Sequence, residues 1–348
     1  LLRYQKVLVT GGSGFFGGIL KNKLLASGIG VVNIDLQKDE VLHAGLISIQ
    51  GDIRDEALMG RIYRENRFDA VFHCAAILAH DRKDKNFLWT SNVEGTRVVA
   101  AGARKHGVSN LVFTSSNSLW GRGYRRPIAE DEPPAPVEIY GHSKLEGERV
   151  LQGFAGDLNI VSIRCPTIID SGRLGLLAIL FEFVAEGRKV WAVGGGGNRY
   201  QFIYAQDLAE ACLRGASLAR SDVFNIGSDN VKSIREIYQY VIERAGTGAK
   251  VTALPKSAAV LAMRMAHLLK ISPLGPYHYR MIAEDFLFDT RKIKAELCWQ
   301  PTLTNEEMLA RAYEYYRENR AAIERRTGVS AHKQAAGMGV IRLLKWLS

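Results

Sequence analysis

The chain has 348 residues, 47% apolar and 24% charged, an ordinary globular composition and enough length to bury a sizeable core in one large or two closely joined domains. No apolar run approaches the roughly 20 residues that span a bilayer, and the four cysteines (Cys74, Cys165, Cys212, Cys298) are widely spaced with no CxxC pair, so they read as reduced core residues. The formal net charge is +10, yet the Lys and Arg residues are dispersed and not interleaved with aromatics, which argues against nucleic acid and for a nucleotide cofactor with an anionic substrate or lipid headgroups.

The N-terminus enters Val7-Leu8-Val9 almost at once, leaving no room for a leader ahead of the fold; with the cysteine usage this predicts a cytoplasmic protein. Short apolar runs then alternate with helical stretches. Strands are expected at Lys6–Thr10, Val31–Ile34, Leu46–Gln50, Ala70–His73, Leu111–Thr114 and Ile160–Arg164, and helices near Phe16–Ala26, Glu56–Glu65, Phe87–His106 and Glu138–Phe154. Continuous apolar strands imply a sheet covered on both faces, hence a doubly wound parallel α/β sheet with its ligand at the carboxyl ends of the strands. The second half is less regular. Helices are expected at Leu174–Glu186, Asp207–Leu218, Ser233–Ala245, Lys256–Leu269 and Asn305–Arg320, with short strands at Val190–Val193 and Gln201–Tyr204 and a strand at Val223–Ile226 that returns to the main sheet. The expected division is a dinucleotide-binding domain over 1–165, a smaller substrate-binding cap over 166–328 and a weakly structured tail over 329–348.

Thr10-Gly11-Gly12-Ser13-Gly14-Phe15-Phe16-Gly17 lies between the first strand and the first helix. Gly11 suits the tight turn, Gly14 lets backbone approach a pyrophosphate, Gly17 lets the helix pack closely on the sheet, and the helix N-terminus offers N–H donors to the anion. Asp35, at the end of the second strand, would accept from the adenosine ribose hydroxyls and repel a 2′-phosphate, favouring NAD over NADP. Asp52 and Ile53 could flank the adenine by hydrogen bond and packing. Cys74-Ala75-Ala76 supplies small residues where a cofactor would lie against backbone, whereas His73 reads as a packed strand residue.

Tyr140 and Lys144, at i and i+4, share one helical face. An ammonium there would stabilise a phenolate and let Tyr140 remove a hydroxyl proton as hydride leaves the same carbon. Upstream, the strand Leu111–Thr114 runs into Ser115-Ser116-Asn117-Ser118, hydroxyls at a strand end that faces the ligand. A hydroxyl-rich turn is the alternative reading of those residues taken alone.

Together these motifs resemble the extended short-chain dehydrogenase/reductase family, its NAD-dependent epimerase/dehydratase group, over roughly residues 5–322. The quoted matches are TGGSGFFG, Gly51-Asp-Ile-Arg-Asp55, HCAA, Asn92-Val-Glu-Gly-Thr96, FTSSNSLWG, YGHSK with Glu148 beyond it, and Arg164-Cys-Pro166. The resemblance implies a Rossmann fold binding NAD, with Ser116, five residues before Gly121, as the catalytic serine beside Tyr140 and Lys144. Asn92 would be the family's structural asparagine, and helices 87–106 and 138–154 its four-helix homodimer interface. The cofactor set so predicted is Gly11, Gly14, Phe15, Phe16, Gly17, Asp35, Asp52, Ile53, Cys74, Ala75, Ala76, Asn92, Thr114, Tyr140, Lys144 and Pro166. No metal is predicted.

The substrate half departs from the pattern. Nucleotide-sugar epimerases usually carry Asn where this chain has Thr167, and an Arg directly before an Asp-Phe/Tyr pair, which Arg199 misses by one residue. Arg280 would stand in for a later diphosphate-binding Arg. Asn117-Ser118 lacks the acidic pair of the dehydratases, which argues against 4,6-dehydration. The expected substrate contacts are Ser116, Asn117, Ser118, Thr167, Arg199 and Arg280. The preferred expectation is epimerisation or oxidation of a nucleotide sugar through a transient ketone. One alternative comes from a looser resemblance to the 3β-hydroxysteroid dehydrogenase branch, carried by the apolar helix 255–269: a dehydrogenase of a sterol-like secondary alcohol. A catalytically silent NAD-binding scaffold is the other. Helix 256–269 and the stretch 340–347, with Arg342 and Lys345 among Ile, Leu and Trp, are candidates for peripheral membrane contact.

Overall fold

The computed structural model describes residues 4–78, 84–175, 177–268 and 283–324. Its centre is a sheet built from β1 (Lys6–Thr10), β2 (Gly30–Asp35), β3 (Leu46–Gln50), β4 (Ala70–His73), β5 (Asn110–Ser116), β6 (Asn159–Cys165) and β10 (Asp222–Asn225). The strands lie in the order β10-β6-β5-β4-β1-β2-β3 and every pair is parallel. The chain winds outward from β1 to β3 on one side and from β4 to β10 on the other. That reversal opens a crevice between the carboxyl ends of β1 and β4, where such sheets bind ligands.

Helices cover both faces because the inner strands are largely apolar on both sides. On one face α2 (Glu56–Glu65), α3 (Lys85–Lys105) and α4 (Ile139–Gln152) bury Met59, Ile62, Val93, Val99 and Leu151 against the sheet. On the other, α1 (Phe15–Ala26), α6 (Ala205–Ala216) and α9 (Arg291–Leu297) contribute Leu20, Leu24, Leu208, Cys212 and Ile293. Asp55 and Asp84 start α2 and α3 by accepting backbone N–H groups at 2.9–3.0 Å.

A third core belongs to the cap. There α5 (Leu177–Ala185), α7 (Ile234–Ala245) and α10 (Asn305–Glu324) pack Phe181, Ile237, Leu309 and Tyr313 together. Two small parallel sheets complete it, β7 (Thr167–Ile169) with β9 (Phe202–Tyr204), and β8 (Lys189–Val193) with β11 (Lys250–Leu254), which leads into α8 (Lys256–Leu268).

Most elements lie within a few residues of their expected positions. The helix expected from Leu174 begins at Leu177, because the chain turns through Gly172 and Gly175 at positive φ. Strands β7 and β11 and helix α9 are absent from the sequence reading. Cys298 is a correction: it is exposed, at the left-handed end of α9, whereas Cys165 and Cys212 are buried. Arg280 and the stretch 340–347 lie outside the described residues.

Candidate cofactor and catalytic site

Gly11 turns at φ +76°, and a Cβ there would stand 2.7 Å from the backbone of Ala75 at the end of β4. The crevice wall therefore tolerates no side chain at Gly11. A Cβ on Gly17 would lie 2.1 Å from the Gly11 carbonyl oxygen. The third glycine thus lets α1 close onto the loop that leaves β1. Gly14 sits at the N-cap of α1 without a side-chain acceptor, so the first amides of the helix face the crevice, where an anion is favoured.

The loop is braced from beneath. Asn33, fully buried in β2, accepts from the Gly12 amide at 2.8 Å and donates to Ser13 Oγ and Asp39. Asp39 in turn forms a buried ion pair with Lys21 of α1. One oxygen of Asp35 accepts from the Ser13 amide at 3.0 Å and the other from Gln37 at 2.9 Å, so the carboxylate is fixed at the strand end. These features fit a dinucleotide: a helix N-terminus for a diphosphate, a fixed acid for a ribose, no Cβ at the turn. Asp52 is clasped by the Arg54 guanidinium, which also donates to Thr90 and lies 4.4 Å over the Phe87 ring. Ile53 is buried against Gly95. Phe15 and Phe16 are buried in the first turn of α1, and the Arg173 guanidinium from the cap lies 5.8 Å over the Phe15 ring.

His73 is held between Thr10 Oγ1 at 2.7 Å and Thr96 Oγ1 at 2.8 Å. Burial, reinforced by Lys144, pushes its pKa down to about 3, so it is neutral and structural. Asn92 latches the strand β4 exit to the helices: its side chain accepts from the Ile77 amide at 2.7 Å and donates to the Ile77 carbonyl and to Ser143 Oγ of α4.

Ser116 ends β5, and its Oγ accepts from Ser118 N at 3.1 Å and Ser118 Oγ at 3.0 Å. Its own O–H is then oriented to donate elsewhere. A Cβ on Gly141 would lie 2.3 Å from the Ser118 carbonyl, so the first turn of α4, which carries Tyr140, is pressed directly onto this serine turn. One helical turn on, Lys144 is 3% exposed with its ammonium 3.8 Å over the Phe113 ring. Burial lowers its pKa to about 8, against the opposing effect of Cys165, Glu148 and Cys74. Burial also raises Cys74 to about 11 and Cys165 to about 12, so the neighbouring thiols are neutral. Thr114 Oγ1 reaches Cys74 Sγ at 3.5 Å, and Cys165 Sγ donates to the Ser115 carbonyl just before Pro166. Glu148 joins Ser115 Oγ at 2.5 Å to the Arg164 guanidinium at 2.8 Å, locking α4, β5 and β6 together.

The substrate side is less as expected. Asn117 is buried and donates to the Tyr200 hydroxyl, which also lies 3.5 Å from Thr167 Oγ1. Tyr200 thus ties the serine turn to the cap, a role the sequence reading missed. Its ring lies among those of Phe202 and Phe286. Arg199 is about half exposed and faces Asp285, 3.7 Å away.

A family model described as the NAD dependent epimerase/dehydratase family matches residues 7–227. The chain is 34% identical to a Sinorhizobium fredii protein described only as uncharacterised, over 98% of this chain and 86% of that one. It is 28% identical to the UDP-glucose 4-epimerase of Mycolicibacterium smegmatis, over 90% of this chain and 99% of the relative. Among solved structures, the UDP-glucose 4-epimerase of Thermotoga maritima with UDP-glucose superposes with a TM-score of 0.75 at 26% identity, over 90% of this chain and 99% of that one. The Bordetella bronchiseptica enzyme WbmG in complex with NAD shares the fold with a TM-score of 0.75 at 23% identity, over 90% and 94% of the two chains.

Proposed function

The chain belongs to the NAD-dependent epimerase/dehydratase family, and from that premise we propose that it epimerises or oxidises a secondary hydroxyl of a nucleotide-linked sugar through a transient ketone. The carrying observation is the buried Lys144 one turn after Tyr140, on a helix start pressed against the Ser116–Ser118 turn. The nucleotide-sugar class rests on the relatives named UDP-glucose 4-epimerase.

In this reading the N-terminus of α1 after Gly14 would hold the diphosphate of NAD, Asp35 its adenosine ribose and Lys144 its nicotinamide ribose. Asp52 and Ile53 would flank the adenine, and Cys74, Ala75, Ala76, Thr114 and Pro166 would line the floor. NAD supplies a hydride acceptor that can return the hydride. Ser116 donates its O–H to the substrate oxygen and fixes the hydroxyl. Tyr140, as phenolate, takes the hydroxyl proton as the C–O bond gains double-bond character, and gives it back on re-reduction. The Lys144 ammonium favours the phenolate by its charge, and the dry surroundings strengthen that attraction. The helices α3 and α4 form a homodimer interface.

A second reading, an apolar secondary alcohol, is favoured by one observation: Arg199, expected to meet an anionic substrate, is half exposed and faces Asp285. Incubation with UDP-glucose and NAD separates the two. Conversion to an epimer without accumulation of NADH is expected. Steady NADH production from apolar alcohols, with no UDP-sugar turned over, would replace it by the second reading. The Tyr140→Phe variant is expected to lose about 10²–10⁴-fold in turnover with NAD affinity nearly unchanged; full activity in that variant would refute the acid–base assignment.

A further inference from the structure

The aim of the Ser116 hydroxyl depends on its neighbours, because its Oγ accepts from both the amide and the hydroxyl of Ser118, at 3.1 and 3.0 Å. Those two bonds exist only while the short turn Asn117–Leu119, which begins directly after the serine, keeps its shape. Part of the hold on that turn comes from the dinucleotide-binding half. The Trp120 amide donates to the Asn117 carbonyl at 3.1 Å and the Ala135 amide to the Leu119 carbonyl at 2.8 Å. Gly141 of α4 abuts the Ser118 carbonyl.

The cap supplies the rest through one side chain. Asn117 sits between the two serines, 4% exposed, and its amide group donates to the hydroxyl of Tyr200, which is 2% exposed. Tyr200 is itself clamped. Its carbonyl accepts from Asn305 Nδ2 at 2.7 Å, at the start of α10, and the same Asn305 accepts from the Phe202 amide at 2.9 Å. On the other side the Gln201 amide donates to the Phe286 carbonyl at 3.0 Å and the Phe286 amide to the Arg199 carbonyl at 2.8 Å. The rings of Phe202 and Phe286 flank its own, with centroids 5.7 and 5.9 Å away. A rigid ring on a clamped backbone delivers its hydroxyl to one place. Packing accounts for the ring, which a phenylalanine would supply equally well; it does not account for the hydroxyl.

We propose that Tyr200 is a positioning residue for the reaction: through Asn117 it sets the aim of the Ser116 hydroxyl, so the serine turn holds its working shape only while the cap is seated on it. The inference rests on the roles given above to Ser116 and Tyr140. Tyr200 acts through Asn117 and not by contact with the reacting atoms, so its loss costs rate and leaves binding nearly intact. A misplacement of about 1 Å in such a group can cost about 100-fold.

Amide exchange on the NAD-bound protein tests the strut without any substrate. In Tyr200→Phe, which keeps the ring, the amides of Ser118 and Trp120 are expected to exchange about tenfold faster or more, with the NAD-dependent rise in melting temperature retained. In Tyr313→Phe, another buried tyrosine of the cap core, they are expected to be unchanged. Turnover is then measured on whichever substrate class the native protein accepts. Loss of the nucleotide-sugar reading therefore leaves this test standing, and a failure of the acid–base reading shows separately in Tyr140→Phe. Tyr200→Phe is expected to lose about tenfold or more in kcat with KM within about twofold of native. Asn117→Ala is expected to lose no more when Tyr200→Phe is added to it. Unchanged exchange at Ser118 and Trp120 would overturn the proposal, as would equal acceleration in Tyr313→Phe. So would an unchanged kcat, a loss confined to KM, or losses that multiply in the double variant.

Discussion

His73 and Lys144 are both buried, and their surroundings give them opposite fates. The imidazole has hydrogen-bond partners on both nitrogens and a pKa of about 3. Between pH 6.5 and 3 the unfolded chain therefore binds a proton that the folded chain refuses, so stability is lost as pH falls through that window. From pH 7 to 5 the loss from this group is about 2 kcal/mol. Thermal or denaturant unfolding at the two pH values is expected to show it in the native protein and not in His73→Gln; equal losses would contradict the assignment. Lys144 keeps its proton below about pH 8 despite burial, so it can act as a cation at neutral pH. The placing of Tyr140 and Lys144 one turn apart on a helix and of Ser116 at a strand end was legible in the sequence because each is a short local pattern. Tyr200 was not, because its partners Asn117 and Thr167 are 83 and 33 residues away. The shifted Arg199 pointed to a change in this region without revealing that the tyrosine had turned inward.

The strand–loop–helix unit β1–α1 behaves as one rigid element. Its glycines are demanded by backbone close to backbone, and Asn33, Asp39 and Lys21 support it from β2 and from within α1. Gly17→Ala would place a methyl group 2.1 Å from the Gly11 oxygen, whereas at Gly18 the same change meets only ordinary contact at 3.5 Å from the Gly12 oxygen. Calorimetric titration with NAD is expected to show a loss of about tenfold or more for Gly17→Ala and little change for Gly18→Ala. Equal affinities in the two would mean that the loop yields at no cost. The inner strands could be placed from sequence because both faces are buried and most of their residues are apolar. Strand β11 and helix α9 escaped for the converse reason: KVTAL is partly exposed, and RKIKAEL buries only Ile293 and Leu297. Strand β7 is only three residues long.

At the scale of the whole molecule, α3 and α4 lie side by side, joined by the Asn92–Ser143 bond. Light scattering on the purified protein is expected to give twice the monomer mass, and a charge placed at Trp89 or Val98, both half-buried on α3, to shift it toward the monomer. A monomeric native protein would remove the dimer reading. The doubly wound architecture was readable from the alternation of strands and helices, but the path of the cap was not, since its contacts join residues far apart in the chain. One strand of that path has a further consequence. Because β10 pairs with β6 only after the chain has passed through β7 to β9 and α6, a nascent chain still lacking residue 225 presents β6 as an open edge. During synthesis that edge is where another chain could add a strand, so the interval between translating Cys165 and Asn225 is when this fold is most exposed to aggregation.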